Sequence, residues 1–112
     1  EESKIEGFLC ATTVTTVDYL LGRALTVMKA RSALRRLLDI FEVAPVNRPV
    51  LEQALRSEIS DFEDAVLEQS GRLVAVDAIV TRNIKDFRKS TVTVLDPVEL
   101  LSAVDAIEAA NP

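Results

Sequence analysis

Residues 61–66 read DFEDAV and, after a short interval, residues 77–87 read DAIVTRNIKDF. Ser60 and Glu63 form a capping-box pattern, which predicts a helix that begins at about Asp61 and runs to about Val74. Residues 78–81 (AIVT) are short and apolar, which predicts a buried strand. A helix leading into a buried strand, with polar residues just beyond that strand, is typical of an α/β fold.

The rest of the chain extends this alternation of helix and strand. Strands are predicted at 7–13, 42–46 and 91–95, and helices at 14–28, 30–41, 50–57 and from Pro97 onward. Strands that alternate with helices favour a parallel sheet with helices on both faces. We therefore expect one domain over residues 1–112, with a three-layer α/β/α architecture around a central parallel sheet.

The composition restricts the possible chemistry. The chain has no histidine, and Cys10 is its single cysteine. Internal disulfides, zinc clusters and histidine-based nucleophilic triads are therefore excluded. Hydrolytic chemistry would have to use carboxylates, which favour hard ions such as Mg²⁺ or Mn²⁺.

The sequence also predicts the cellular compartment of the protein. No apolar run reaches the roughly 18 residues that a membrane span needs, and the chain opens on two glutamates rather than on a signal peptide. A lone cysteine fits a reducing compartment. We expect a cytoplasmic protein without membrane contact.

Acidic residues follow the predicted strands, where the functional crevice of a parallel sheet lies. Asp18 comes after the first strand, Asp64 is in the helix that begins near Asp61, and Asp86 follows the AIVT strand. Carboxylates gathered at one end of a sheet repel each other, and a divalent cation would relieve this repulsion. The cation could also activate a water and polarise a phosphate, as in a phosphodiesterase.

Each acid also has a structural explanation. Acids at a helix start interact favourably with the helix dipole, and Asp86 could be an ordinary turn residue. Asp18 could mark only the solvated edge of its helix. Asp61, Asp64 and Glu68 share one helical face opposite Phe62 and Val66, so they could simply be solvated.

The basic residues are clustered although the net charge is −5. An acidic chain is unusual for a non-specific nucleic-acid binder. A local basic patch beside a metal site would reconcile these facts, whereas the alternative is a solvated charged surface. One cluster is Arg31, Arg35 and Arg36, and the other is Arg82, Lys85, Arg88 and Lys89.

Four stretches together resemble PIN-domain proteins, including VapC-type toxins of bacterial toxin–antitoxin pairs. They are DFEDAV and DAIVTRNIKDF, together with ATTVTTVDYLLGRA at 11–24 and VTVLDPVELL at 92–101. Their order and spacing agree with that family over almost the whole chain. The resemblance implies a PIN-like fold and metal-dependent cleavage of single-stranded RNA.

The resemblance also implies site residues. Asp64 matches the central aspartate of the family, Asp18 falls where a glutamate is usual, and Asn83 occupies a place that is often aspartate. Asp86 is the nearby acid, and Asp61 is an extra acid within reach. The implied catalytic set is Asp18, Asp64, Asn83 and Asp86, with Mg²⁺ or Mn²⁺ held by Asp64, Asp86 and Asp18.

The loop after the AIVT strand would contact the RNA. By the same resemblance, Thr81, Arg82 and Lys85 lie where the phosphate is expected. The implied partners are an RNA substrate and a protein antitoxin.

Two departures from the family pattern bear on function. The family's first strand, with its aspartate, has no counterpart in this sequence, and Asn83 and Asp18 weaken the acid set. Loss of a central strand would expose unpaired edges, so we expect a partner chain or a homodimer. A non-catalytic PIN-like binding module therefore remains the alternative to a ribonuclease.

A third interpretation is a receiver-like phosphoacceptor domain. That fold needs an acid pair after its first strand, an aspartate ending a middle strand and a lysine ending a late one. The acids of this chain head helices instead, which disfavours this interpretation.

Overall fold

The computed structural model describes residues 5–110. Short strands alternate with longer helices throughout this range, and none of these helices is long and apolar enough to cross a membrane. The elements are β1 (Phe8–Cys10), α1 (Ala11–Ala24), α2 (Val27–Ile40), β2 (Glu42–Ala44), α3 (Arg48–Leu55), α4 (Phe62–Leu73), β3 (Ile79–Val80), a 3₁₀ helix (Ile84–Phe87), β4 (Val94–Leu95) and α5 (Pro97–Ala110).

The strands pair in parallel, as an α/β fold requires. β1 pairs with β2 in the register Leu9 to Val43, and β3 pairs with β4 in the register Ile79 to Val94. Within residues 5–110 these pairs form two separate two-stranded sheets. The single central sheet expected from the sequence is therefore not formed by the described part of the chain.

One apolar core links the two sheets. It contains Cys10 from β1 and Ile79 from β3, and α3 and α4 pack against each other beside them. The core residues are small or aliphatic apart from one aromatic ring, as the low aromatic content predicts. The cluster comprises Cys10, Val50, Ala54, Ile59, Ala65, Val66, Ile79 and Phe87.

The boundary between the first two helices lies earlier in the chain than predicted. Thr26 caps α2, because its side-chain oxygen accepts a hydrogen bond from the Lys29 N–H (3.2 Å). Leu25 is extended and ends α1. Met28 was predicted on the apolar stripe of the first helix, but it lies in α2 and is 82% exposed. That prediction is wrong because a threonine cap interrupts a continuous apolar pattern.

The helix caps agree partly with the sequence patterns. Asp96 caps α5 reciprocally with Glu99, as its place before Pro97 predicts. The cap of α4 is Asp61 rather than Ser60, because the Asp61 Oδ1 accepts from the Asp64 N–H (3.0 Å). Aspartate and serine are comparable caps, so the spacing alone did not distinguish them.

Several predicted apolar stripes are not buried. In α3 the buried residues are Val50 and Ala54, whereas Leu51 and Leu55 are exposed. Neither α1 nor α5 contains a fully buried residue. The exposed side chains of α5 include the apolar residues Val98, Leu101 and Ile107. Periodicity shows that a helix has an apolar face but not whether another element covers that face.

Gly71 lies inside α4, as predicted, and it is buried. A Cβ atom at Gly71 would lie 3.1 Å from Cγ2 of Val76, which is a tight contact. The chain folds back here, since the Val76 N–H donates to the Gly71 carbonyl (3.0 Å) and Ala75 adopts a positive φ of 58°. Glycine thus allows α4 to be followed closely by the chain leading to β3.

Glu68 is the largest fully buried side chain in the described range, with 1% exposure. Its Oε2 accepts hydrogen bonds from the Thr91 N–H (2.7 Å), the Thr91 hydroxyl (3.1 Å) and the Ser90 hydroxyl (3.0 Å). Its Oε1 accepts from Gln69 (2.9 Å) and from the Ser57 hydroxyl (3.3 Å). The sequence-based proposal that Glu68 is solvated is therefore wrong, because α4 packs on more than one face.

The hydroxyls around Glu68 extend this network to the backbone. Ser57 and Ser90 donate to the carboxylate and accept from the N–H groups of Ile59 (3.1 Å) and Val92 (3.0 Å). Burial alone raises the pKa of Glu68, but the hydrogen bonds from Thr91, Gln69 and Ser90 outweigh it. The pKa of Glu68 therefore lies below its ordinary value of 4.5.

We predict that Glu68→Gln destabilises the protein by about 2–4 kcal/mol at pH 7, because an amide N–H₂ cannot accept the hydrogen bonds made to one carboxylate oxygen. A depressed folded-state pKa contributes stability above pH 4.5 that is lost as the pH falls through the folded value. The difference between wild type and variant should therefore shrink in acid. Urea unfolding at pH 7 and at about pH 3 measures both effects.

The matched control is Glu58→Gln, which alters an exposed carboxylate and should change stability by less than about 0.5 kcal/mol. An equal loss of stability for Glu68→Gln at both pH values would show that the ionised carboxylate has no special role.

Candidate active site at the start of helix α4

Acidic residues surround the N-terminus of α4. Asp61 caps the helix, and Glu63 and Asp64 occupy its first turn. Carboxylates are favoured at this position because they satisfy free backbone N–H groups and interact with the positive end of the helix dipole. The sequence SDFED thus places three acids within one turn for local reasons.

The turn after β3 brings a fourth acid to this region. The Asn83 N–H donates to the Thr81 hydroxyl (3.0 Å), and the Asp86 N–H donates to the Asn83 carbonyl (3.0 Å). Phe87 is buried in the core and fixes the 3₁₀ helix that contains Asp86. The position of Asp86 is therefore set by tertiary packing as well as by the turn.

The electrostatics show that these acids are close. The pKa of Asp64 is raised above its ordinary value, first by burial and then by the negative charges of Asp61, Asp86 and Glu63. Like charges disfavour ionisation of one another. Asp86 is thus near enough for its charge to act on Asp64, and the sequence predicted both acids for one site.

Asp18 is held differently. Its Oδ1 accepts a hydrogen bond from the Arg31 Nε in α2 (3.1 Å), which forms an ion pair between α1 and α2. The contact of α1 with the acid cluster is instead made by Thr16, whose hydroxyl donates to Glu63 Oε2 (3.0 Å). Thr16 was not among the predicted site residues, and its only sequence signal is a place about one turn after the predicted strand at 7–13.

The predicted RNA-contacting residues border the acids. Arg82 and Lys85 are exposed, and neither forms an ion pair within the part of the chain that the structure describes. Thr81 uses its hydroxyl as an acceptor for the turn. Asn83 is exposed, and its side chain does not cap the 3₁₀ helix. Lys85 shares the 3₁₀ helix with Asp86, and Arg82 precedes that helix in the same turn.

A comparison with protein families gives the family of this chain. The pattern of the PIN domain matches residues 1–85. The chain belongs to the PIN domain family. The matched range includes Asp18, Asp64 and Asn83 and ends one residue before Asp86. No curated protein and no solved structure matches this PIN domain significantly.

A divalent cation needs several oxygen ligands around it. Among residues 5–110, no three carboxylates converge closely enough to hold a metal ion by themselves. Mg²⁺ is commonly bound by one or two carboxylates, with water and substrate phosphate as the other ligands. Burial raises the pKa of Asp64 first, and the negative charges of Asp61, Asp86 and Glu63 raise it further, a repulsion that a cation would relieve.

We predict that Mn²⁺ or Mg²⁺ stabilises the PIN domain through Asp64. A concentration ten times the dissociation constant adds about 1.4 kcal/mol, or roughly a 5 °C rise in the melting temperature. Asp64→Asn should abolish the rise, because it removes one carboxylate of the cluster. Thermal unfolding with added metal or with EDTA measures this effect.

The control variant Asp39→Asn changes an exposed acid in α2, outside the cluster, and should retain the full metal-dependent rise. If wild type and Asp64→Asn gain the same stability from the metal, the cation binds elsewhere.

Proposed function

We propose that this protein is a metal-dependent endoribonuclease that cleaves single-stranded RNA in the cytoplasm. The main support is the gathering of Asp64 and Asp86, with Asp61 and Glu63, at the start of α4 in a PIN domain. PIN domains are generally nucleases, and a histidine-free chain needs carboxylates for such hydrolysis.

The proposed roles follow from the positions of the side chains. Asp64 and Asp86 would hold Mg²⁺ or Mn²⁺, which when bound lowers the pKa of a water and polarises a phosphate oxygen. The exposed cations of Arg82 and Lys85 would attract the RNA backbone. The Thr81 hydroxyl, which accepts from the Asn83 N–H, would keep their loop in place.

Asp18 has a conditional role in this proposal. Its carboxylate is paired with Arg31, so it would have to leave that partner to reach a metal or orient a water. An exposed ion pair is worth about 1 kcal/mol or less, so bound RNA and metal could offset its loss.

We predict that the protein cleaves labelled single-stranded RNA with Mn²⁺ and does not cleave it with EDTA. Asp64→Asn should reduce the rate by roughly 10²-fold or more, because the proposed metal loses a charged ligand. Gel analysis of cleavage products measures the rate, and Asp39→Asn should cleave as wild type does. Metal-independent cleavage, or full activity of Asp64→Asn, would refute the proposed mechanism.

We further propose that the nuclease is a VapC-type toxin restrained by a protein antitoxin. The support is apolar surface available to a partner, since Tyr19, Leu20 and Met28 on α1 and α2 are exposed.

The toxin role can be tested by expressing wild type, Asp64→Asn and Asp39→Asn in bacteria. Expression of wild type or of Asp39→Asn should stop bacterial growth, and expression of Asp64→Asn should not. Normal growth of cells that express a wild-type protein able to cleave RNA would contradict the toxin role.

The two two-stranded sheets have open edges that a partner could cover. We propose that the two sheets are halves of one central parallel sheet, and that the unpaired edges of β1 and β3 are covered by a second copy of this chain. Both inner strands contribute to the same core, through Cys10 and Ile79. In the described range β1 pairs only with β2 and β3 only with β4, so each has an unpaired edge.

We predict a homodimer in sedimentation at micromolar concentration, weakened by Val80→Pro. The N–H groups of Ile79 and Thr81 donate to the carbonyls of Thr93 (2.8 Å) and Leu95 (3.0 Å), so the alternating N–H of Val80 points to the opposite edge. Proline at 80 removes only this edge donor, whereas Ile79→Pro would also break the β3–β4 pairing. A folded wild-type monomer would contradict the dimer.

A second candidate function is a non-catalytic PIN-like binding module. It is favoured by the Asp18–Arg31 ion pair and by the absence of three converging carboxylates within residues 5–110. In the cleavage experiment this function predicts RNA or protein binding with no metal-dependent products, even when the thermal unfolding shows a folded protein.

A further inference from the structure

A cavity of about 460 Å³ lies beside the second half of α4. Its wall is formed by the end of α3, by α4 from Glu68 to Arg72, and by the segment that leads into β4. Four basic side chains line it, namely Arg56, Arg72, Arg88 and Lys89. The volume lies within the roughly 300–1,000 Å³ of typical ligand sites.

This cavity is separate from the acid cluster. Asp64 is in the first turn of α4, whereas Arg72 lies eight residues further, about 12 Å along the helix axis. Ser90 and Thr91 precede β4, so they lie at the opposite ends of the strands from the turn that follows β3. The proposed active site and this basic cavity therefore do not share side chains.

The two acids in the cavity wall compensate two of its four positive charges. Glu68 is engaged in the buried hydrogen bonds described above, and Glu58 faces Lys89 at 3.9 Å. Within residues 5–110, Arg56 and Arg88 form no ion pair. An electropositive cavity on a chain with net charge −5 is a local reversal of charge, which would concentrate anions there.

The floor of the cavity is fixed rather than mobile. Arg72 Nη1 donates to the Thr91 hydroxyl (3.1 Å), and that hydroxyl donates to Glu68 (3.1 Å). Arg72 keeps its remaining N–H donors for a ligand. The buried carboxylate thus positions both the polar floor and one of the cations.

The chemistry of the wall indicates the ligand. Guanidinium groups bind phosphate oxygens in pairs of parallel hydrogen bonds. The cavity is lined by basic and polar side chains without an aromatic ring, so it lacks the surface on which bases stack. Such a wall would recognise phosphate groups and not base identity.

We propose that this cavity binds phosphate groups of a nucleic-acid backbone and holds the RNA beyond the acid cluster. The inference extends the proposed ribonuclease function. The 12 Å offset along α4 corresponds to about three or four phosphate spacings of a stacked strand. Binding would depend on strand length and salt, with little dependence on base sequence.

The test measures the affinity of the full chain for a fluorescein-labelled single-stranded RNA of about ten nucleotides, by anisotropy in EDTA. The double variant Arg56→Gln/Arg88→Gln should bind about tenfold or more weakly. Its slope of log affinity against log salt should also fall by about 1.4, because two phosphate contacts are lost. Both arginines are exposed, so the thermal stability should be unchanged.

The matched control is Arg35→Gln/Arg36→Gln, which removes the same charge from α2, outside the cavity. An equal loss of RNA affinity in both double variants would show that the effect comes from net charge alone, and it would overturn the proposal. Inorganic pyrophosphate should displace the RNA from wild type. Binding of pyrophosphate without RNA binding would make the cavity a small-anion site and overturn the nucleic-acid assignment.

The binding test is independent of catalysis. Asp39→Asn should bind the RNA as tightly as wild type, because Asp39 lies outside both the cavity and the acid cluster. If RNA is bound through Arg56 and Arg88 but never cleaved with Mn²⁺, the nuclease proposal fails and the cavity stands. If RNA is cleaved while the Arg56→Gln/Arg88→Gln variant binds normally, the cavity proposal fails alone.

Discussion

The buried carboxylate of Glu68 is the interaction on which the rest of the structure depends. It joins α4 to the end of α3 through Ser57 and to the segment before β4 through Ser90 and Thr91. A charge taken out of water is tolerated only when its lone pairs are satisfied. The hydrogen bonds to Glu68 meet this requirement. Burial of Glu68 therefore requires that α4, the end of α3 and the segment before β4 pack together.

The sequence predicted the kind and order of the elements well, because helix and strand periods are local properties. The predicted helix ends agree with the structure where the cap is unambiguous, as at Asp96. They differ from it where a capping threonine interrupts an apolar run, as at Thr26. Burial was predicted less well. The pattern around Leu55 and Leu101 requires an apolar face but cannot show that a neighbour covers it.

The candidate site was predictable to the extent that it follows from chain position. Asp64 and Asp86 were predicted for one site from their places in the chain and from the PIN resemblance, and the charge of Asp86 is one of the causes that raise the pKa of Asp64. The pairing of Asp18 with Arg31 depends on how α1 and α2 pack, which no local pattern encodes. The burial of Glu68 was missed for the same reason, because its partners lie on other segments.

The absence of fully buried residues in α1 and α5 has a consequence for motion. Amide protons in these helices should exchange through local opening, whereas those of α4 should exchange only when the whole core opens. The acids at the start of α4 thus stand on a helix that contributes Ala65 and Val66 to the core. Asp18, on α1, belongs to a region that can rearrange while the core around Glu68 stays folded.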